Sequence, residues 1–434
     1  MLSSLAENTF SVMSINVAGI PEFLSSGSPL ENSVEIGRRI SNWDVVNVQE
    51  DFNYHAYVYS ENSHLHRTST SGGIPFGDGL NTLSNFSFNN ITDLTRSKWS
   101  VCSTFDGADC LTPKGFTFLE IQLADGVTLD LYNLHADAGV TDADEVARAA
   151  NLAQLSAYIT ANSADNAVIV MGDTNTRYTR AADTIREFAE GLNLTDGWVE
   201  YVRNGEYPTK GAEAIVCDAS IMTNACEVVD KILYRGNNYI KLTLEKWNNE
   251  NAAFLDDNGV MLSDHPPISS IFSWTLNDEI RLSNAVGGPH GDQFTDVASA
   301  GGGQTVKSIT IRSGSRVDAV SIAISAPSAT MISHGGTGGT AKTLTLSSGE
   351  YVISMQVHWS KYNGHTRIFY LKFMTNLGKT LAGGVPTSEN MTVYAPDGYQ
   401  LSAFHGRHGD EIDALGRSGR RFRFDLVGTK EATK

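Results

Sequence analysis

No apolar stretch in this sequence approaches the roughly 18 residues that a helix needs to cross a bilayer, which argues against a helical membrane protein. Positive charge is also short. The 32 Lys and Arg residues stand against 49 Asp and Glu, a net charge of -17, and so acidic a chain gains little from unspecific attraction to phosphate polyanions. Cysteine is sparse, at 4 residues, and none has the neighbouring histidine or close second cysteine of a zinc knuckle. Metal binding through thiolates is therefore not expected. What is present in quantity is core material. With 41% hydrophobic and 9% aromatic residues the composition is globular rather than disordered, and 434 residues leave room for two compact units.

The charge is unevenly divided. A cut after Leu276 leaves 36 acidic and 16 basic residues before it, net -20, and 13 acidic and 16 basic after it, net +3, so the two parts carry different electrostatic duties. The cysteines fall into two close pairs, Cys102 with Cys110 and Cys217 with Cys226, separated by loop-like sequence, and short-loop disulfides are expected. Sequons at Asn85, Asn90, Asn193 and Asn390 are compatible with a secreted chain. The segment at Met1 begins polar and runs into Glu7 and Asn8, unlike a secretory leader. The expectation is an oxidising, extracellular compartment with a leader already removed.

Up to about Trp274, strand-like and helix-like patterns alternate. Phe10 to Val17, Val45 to Val48, Ala167 to Met171 and Ile268 to Trp274 have the apolar runs of buried strands. Phe116 to Leu123 and Val127 to Leu134 pair across Asp125-Gly126, a dipeptide that favours a tight turn. Helices are expected over Ser33 to Ile40 and Ala182 to Gly191, and in a third Asp142 caps with Glu145 while Val146, Ala149, Leu152, Leu155 and Ile159 form the apolar stripe. From Gly287 onward no helical period appears. Short runs such as Ser308 to Ile311, Ala319 to Ile324, Tyr351 to His358 and Arg367 to Phe373 recur between Gly, Ser, Asn and Thr clusters, the pattern of an all-β domain built of three similar sheet units. A mixed α/β domain over 1–276 and an all-β domain over 277–434 follow.

Polar residues gather at the ends of the first domain's strands. Asn16 ends the first and Glu50 the second, His135 and Asp137 follow Val127 to Leu134, and Asp173 and Asn175 follow Ala167 to Met171. Asp264-His265 precedes the last strand. Carboxylates with amides and two histidines suit a hard cation and acid/base chemistry, and magnesium takes one or two carboxylates and keeps several waters.

The blocks S-I-N-V (Ser14 to Val17), V-Q-E (Val48 to Glu50), N-L-H-A-D (Asn133 to Asp137), G-D-T-N (Gly172 to Asn175), V-D-K-I-L (Val229 to Leu233) and S-D-H-P (Ser263 to Pro266) stand in the order seen in the endonuclease/exonuclease/phosphatase superfamily. Over roughly 8 to 276 the chain resembles that superfamily. The resemblance implies a four-layer α/β sandwich and a magnesium-dependent phosphoesterase site, with manganese or calcium as other possible ions. It makes Glu50 the principal metal ligand with Asn16 beside it, and Asp264 a holder of the metal or its water shell. His265 becomes the general base oriented by Asp230, Asp173 and Asn175 position water and phosphoryl group, and His135 stabilises or protonates the leaving oxygen. The stretches Cys110 to Phe116 and Cys226 to Lys231 resemble the neutral sphingomyelinase-like branch, which implies a phospholipid substrate. In that branch an apolar hairpin before the final Asp-His pair enters the bilayer. Trp247 and Phe254 lie in that interval and are the candidates for peripheral membrane contact.

The blocks Gly287 to Phe294, Phe373 to Thr380 and Phe404 to Gly416 are similar to jacalin-related lectins over about 280 to 428. That implies a β-prism I fold and a glycan partner, bound by the G-x-x-x-D run Gly409, Asp410, Glu411, Ile412 and Asp413, with the Asp413 carboxylate accepting sugar hydroxyls and Gly288 completing the loop. Lys114 is a scaffold residue or faces the phosphate, and the sequence does not choose between them. Two rivals stay open: a DNase-type endonuclease with the same active site, in which nucleic acid is the partner, and a lectin whose hydrolase domain is inactive.

Overall fold

The computed structural model describes residues 8–22, 28–103, 109–299 and 304–421. It divides into two compact units, Met1–Ala124 with Thr128–Thr275, and Asp125–Val127 with Leu276–Lys434.

The first unit holds two six-stranded sheets. One runs, in spatial order, Ile240–Asn249, Ile268–Leu276, Thr9–Asn16, Val45–Gln49, Asn81–Ser84 and His66–Arg67, and the other Thr95–Lys98, Gly115–Ala124, Val127–His135, Val168–Asp173, Asp230–Arg235 and Thr195–Asp196. Thr9–Asn16 and Val45–Gln49 are parallel, as are Val127–His135 and Val168–Asp173. Parallel neighbours are buried on both faces, as the apolar run that opens Val168–Asp173 shows. The helix Pro29–Ile40 covers the first sheet, its Ile36 and Ile40 packing with Met13, Ile15, Val46 and Val48. On the second sheet, Tyr158 of the helix Asp142–Asn162 meets Phe116, Phe118 and Tyr132 edge-on. Helix, sheet, sheet and helix make the four-layer α/β sandwich. Polar side chains tie the two sheets together: Asn47 donates to the carbonyls of Tyr132 and Met171, Gln49 to Asn133 Oδ1, and Asn133 to the carbonyls of Val48 and Asn81.

Three local expectations are corrected. The helix Asp142–Asn162 is capped by Thr141 with Asp144, not by Asp142 with Glu145: Thr141 alone has the extended backbone of a cap, and its N–H and Asp144 close a reciprocal box. The helix's inward face is correspondingly rotated. Val146 is 67% exposed, while Arg148 and Asn151 face inward beside Leu152, Leu155 and Ile159. That face has work besides apolar packing, since Asn151 accepts the Asp137 amide and Arg148 donates to the carbonyls of Asp137 and Gly139. Lastly, Trp247 and Phe254 are 1% and 2% exposed. Phe254 packs in the core of the first sheet against Trp43, so neither ring is free for membrane contact. Both disulfides form as expected, Cys102–Cys110 and Cys217–Cys226. Among the described residues no helix is long and apolar enough to cross a membrane.

The second unit is a β-prism I. Its three sheets are Ile280–Leu282, Ile412–Arg421, Tyr399–His408 and Asp292–Thr295; Thr330–Gly335, Val317–Ala326, Thr305–Ser313 and Thr340–Thr345; and Thr380–Gly384, His365–Thr375, Val352–Tyr362 and Glu389–Tyr394. Alternate residues of each sheet face one core, in which Ile309, Ile311, Val320 and Ile322 meet Met355, Val357, Leu371 and Phe373 and then Leu401, Phe404 and Leu415. The recurring short apolar runs of the sequence are the inner faces of these sheets.

Candidate functional site

The strand registers carry the site. In the second sheet His135 pairs with Asp173 and Asp173 with Asp230, so three polar side chains share one row across three strands. In the first sheet Asn16 pairs with Gln49, which places Glu50 one residue beyond. The sheets face each other, and the two rows meet: Asn16 Nδ2 donates to Glu50 Oε1 at 3.1 Å and to Asp173 Oδ2 at 3.2 Å. Ser263 Oγ donates to the Asn16 carbonyl at 2.6 Å and so brings up the Asp264-His265 segment.

His265 Nδ1 lies 2.9 Å from Asp230 Oδ2, and its Nε2 lies 3.7 Å from Asp173 Oδ2. Burial acts to lower the ring's pKa, but the carboxylates of Asp173 and Asp230 outweigh it and raise it well above the usual histidine value. His135 is the opposite case. Its Nε2 sits 3.3 Å from Asp173 Oδ2, while burial, and after it the Lys114 cation, hold its pKa down at about 3. A neutral ring follows, with Nε2 near Asp173, so His135 can offer one hydrogen bond near neutral pH but is not an acid held ready in charged form. Burial raises the pKa of Asp173, yet His265, His135 and Lys114 bring it below the ordinary value, and it remains a carboxylate. Asn175 donates its backbone N–H to Asp173 Oδ1 at 2.9 Å and its Nδ2 to the Ala136 carbonyl at 3.1 Å.

Glu50 is a carboxylate in want of a cation. Burial raises its pKa, the hydrogen bond from Asn16 only partly offsets this, and Asp264 pushes it further up. No lysine or arginine pairs with it among the described residues. It lines a cleft of about 730 Å³ with Val17, Ser28, Asp218, Val260 and Asp264. An oxygen-only set of Glu50, Asp264 and Asn16 Oδ1, which accepts the Ala18 amide and keeps a second lone pair, fits a hard divalent ion. Among the described residues, a cluster of His and Asp groups close enough to hold a metal ion lies elsewhere, in Asp173, Asp230 and His265, within 4.8 Å of one another. There His265 Nδ1 is already committed to Asp230, which makes that trio a proton-handling unit rather than an ion cage.

Trp99 and Asp218 are not legible in the sequence, which leaves Lys114 open between a scaffold and a phosphate-facing residue. Lys114 pairs with Asp109 and lies 3.5 Å from the Ala136 carbonyl, next to the His135 turn. Trp99 Nε1 donates to the His135 carbonyl at 2.7 Å. Asp218 lines the cleft from inside the Cys217–Cys226 loop. Nothing in their spacing points to the site, because each arrives by tertiary folding.

In the second unit the loop Gly409 to Asp413 and Gly288 are brought together. Gly288 N donates to the Asp413 carbonyl at 2.9 Å, and a Cβ at Gly288 would lie 2.5 Å from Thr366 Cβ, so packing already requires glycine there. Asp410 is exposed, Ile412 is buried in the core, and Glu411 takes a two-pronged contact from Arg316 at 2.7 and 2.5 Å. The Asp413 side chain is 3% exposed and ion-paired with Arg367, a partner the sequence did not suggest.

A family model described as Endonuclease/Exonuclease/phosphatase family 2 matches residues 28–271. The chain belongs to that family. A second, described as Jacalin-like lectin domain, matches residues 283–417, so this family member also carries a jacalin-like lectin domain. The sphingomyelinase of Mycobacterium bovis is 39% identical over 267 residues, which make up 59% of this chain and 51% of that protein. The chain thus matches about half the length of this curated relative. Among solved structures, a Staphylococcus aureus beta toxin with bound magnesium ions is similar at 17% identity, covering 60% of this chain and 98% of that one with a TM-score of 0.44. Malaysian banana lectin is similar at 26% identity, covering 32% of this chain and 98% of that one with a TM-score of 0.29.

Proposed function

We propose that the chain is a secreted, magnesium-dependent phosphodiesterase that releases the headgroup of sphingomyelin-type lipids, and that its lectin domain holds it at glycan-bearing surfaces. The domains assigned to these tasks are 1–276 and 277–434. The observation that carries the reading is the connected cluster in which Asp173 lies within reach of His265, His135 and Asn16, with Asp230 on His265 and Glu50 on Asn16. The mycobacterial sphingomyelinase supports the lipid substrate, and two disulfides support an oxidising compartment.

A phosphodiester is already anionic, so attack by water needs a base on one side and neutralised charge on the other. His265, with Nδ1 fixed on Asp230, presents Nε2 to take the water's proton. Because Asp173 and Asp230 raise the ring's pKa, only its neutral form serves as base, and that form grows as pH rises. Asp173 and Asn175 orient that water and the phosphoryl oxygens, and the neutral His135 donates its N–H toward the developing charge. Glu50, with Asn16 and Asp264, would hold a magnesium ion, which would supply Lewis-acid neutralisation of the phosphoryl charge. A weak sugar contact in the second unit raises the local concentration of enzyme at its substrate without altering the cleft.

The test is phosphocholine release from sphingomyelin vesicles beside plasmid nicking, each with magnesium, with chelator and with His265→Ala. Lipid turnover that needs both magnesium and His265, without nicking, is expected. Nicking without lipid turnover would replace the lipase reading with a nuclease, and silence in both assays would leave the lectin as the working domain.

A further inference from the structure

Asp413 is the carboxylate to which the sugar-site reading gives the hydroxyls of a glycan, yet it is already engaged. Arg367, from the neighbouring strand His365–Thr375, donates Nη1 to Asp413 Oδ1 and to the Thr366 carbonyl. The other carboxylate oxygen is close to Gly291, where a Cβ would come within 2.5 Å of it. A neutral sugar hydroxyl seeking this carboxylate must compete with a guanidinium for one oxygen, while the other is packed close against Gly291. A charge-assisted contact is worth about twice a neutral one, so the competition favours Arg367.

The same arginine has donors to spare. Of its five N–H groups, those on Nη2 have no hydrogen-bond partner among the described residues, and Nε is 3.8 Å from Glu411, beyond hydrogen-bond range. Its side chain is 23% exposed and so can be reached. Arg407 stands nearby and acts on Asp413 as a second cation. It donates to the carbonyls of His290 and Gly291 and pairs with no carboxylate. His365 adds a titratable donor on the exposed side. Against them, Glu411 is taken up by Arg316, and Asp410 lies exposed at the turn, where water and salt screen it.

Resting on the reading of this loop as a sugar site, we propose that Arg367 sets its specificity toward saccharides bearing a carboxylate or sulfate group. The ligand's anion takes the unfilled Nη2 of Arg367, which stays on Asp413 and bridges the two, while the amides of Asp410 to Ile412 meet the ring hydroxyls.

The experiment is calorimetric titration of the full chain with methyl glycosides of mannose, glucose and galactose beside the matching methyl uronic acids. In the best-bound pair the uronic acid is expected to bind roughly ten-fold more tightly, with the preference lost in Arg367→Gln and, on the unaltered chain, between about 0.05 and 0.5 M salt. A neutral glycoside that binds as tightly as its uronic acid would overturn the proposal, as would a preference that survives in folded Arg367→Gln. Should that variant not fold, the salt series on the unaltered chain decides alone: a preference insensitive to salt also overturns the idea. Absence of binding by all six sugars would remove the sugar-site reading itself, and the proposal with it.

Discussion

Replacing Asp230 with asparagine should damage catalysis more than deleting the side chain altogether. His265 Nδ1 is 2.9 Å from Asp230 Oδ2, and Asp230 Oδ1 is buried with no hydrogen-bond partner. An asparagine can face the ring two ways. With its oxygen toward Nδ1 the productive tautomer survives, but the amide N–H2 then occupies the site of Oδ1 with nothing to accept it, at a cost of about 1–3 kcal/mol. With its nitrogen toward Nδ1 the ring's proton moves to Nε2, where the Asp173 carboxylate, 3.7 Å away and beyond hydrogen-bond range, still attracts it electrostatically by about 1 kcal/mol. In that tautomer Nε2 has no lone pair with which to take a proton from water. The bias of about 2–4 kcal/mol corresponds to a ~30- to 1000-fold loss in kcat. Asp230→Ala leaves a small polar hole that water can enter and imposes no tautomer, so its loss should be about ten- to a hundred-fold. The assay is hydrolysis of bis(p-nitrophenyl) phosphate at saturation, with folding of each variant checked by circular dichroism. If folded Asp230→Asn proves more active than Asp230→Ala, the tautomer argument is wrong.

The side chains of Arg148 and Asp183 are each 1% exposed and joined at 2.8–2.9 Å, but Asp183 also keeps Arg180 at 2.9 Å and the Arg177 amide at 2.8 Å. Arg148→Met should therefore cost the first unit about 1–3 kcal/mol, read by calorimetry with the lectin transition as internal reference, and an unchanged transition would contradict this. Trp247→Ala removes a ring that is 1% exposed and should lower stability by about 3–5 kcal/mol. On vesicles, below its melting temperature, it should keep its affinity for the surface, and lost membrane binding in the folded variant would restore the membrane-contact reading. Asp130 is wholly buried and desolvation raises its pKa to about 6, against hydrogen bonds from Ser163 and Asn166 that lower it. The folded state therefore holds a proton that the unfolded chain gives up near pH 4, and stability falls as pH rises across that window. Asp130→Asn should be more stable than the original above pH 6, by of order 1–3 kcal/mol, and not at pH 4; equal denaturation midpoints at pH 7.5 would refute this.

The fold was legible to the extent that burial writes itself into composition. Strands buried on both faces, such as Val168–Asp173, are short and wholly apolar, and the prism's inner faces alternate. The helix Asp142–Asn162 is legible in its extent but not in its facing, because hydrophobicity alone places Val146 inward, whereas the position is decided by Arg148 and Asn151 reaching the loop after His135. Trp247 misleads for a related reason. An aromatic in a polar stretch looks available, and strict alternation from Ile240 would point Trp247 outward; the inward phase shifts within Ile240–Asn249 and buries Trp247 and Asn249. The site's own members sit at strand ends, where polar residues stand out against apolar runs. Arg367 could not stand out, because arginine in an edge-facing strand position is ordinary and its partner lies 46 residues away.

Backbone strain marks the cleft more sharply than any composition does. Ala18, Glu50 and Asn175 all have positive φ, at 48°, 56° and 51°. Such angles cost non-glycine residues of order 1 kcal/mol or more, least for asparagine, and persist only where the surroundings over-determine them. Here they do: the Glu50 carbonyl accepts from Gly19 at 3.1 Å and from Phe52 at 2.8 Å, and Asn175 is pinned at both its amide and its side chain. Glycine would relieve the strain at each position but would delete the side chain. That exchange costs little at Ala18, whereas at Glu50 and Asn175 it would remove a carboxylate and an amide from the cleft. The strain at Glu50 and Asn175 is therefore best understood as the consequence of needing those side chains just past the strand ends, where the chain must also turn away.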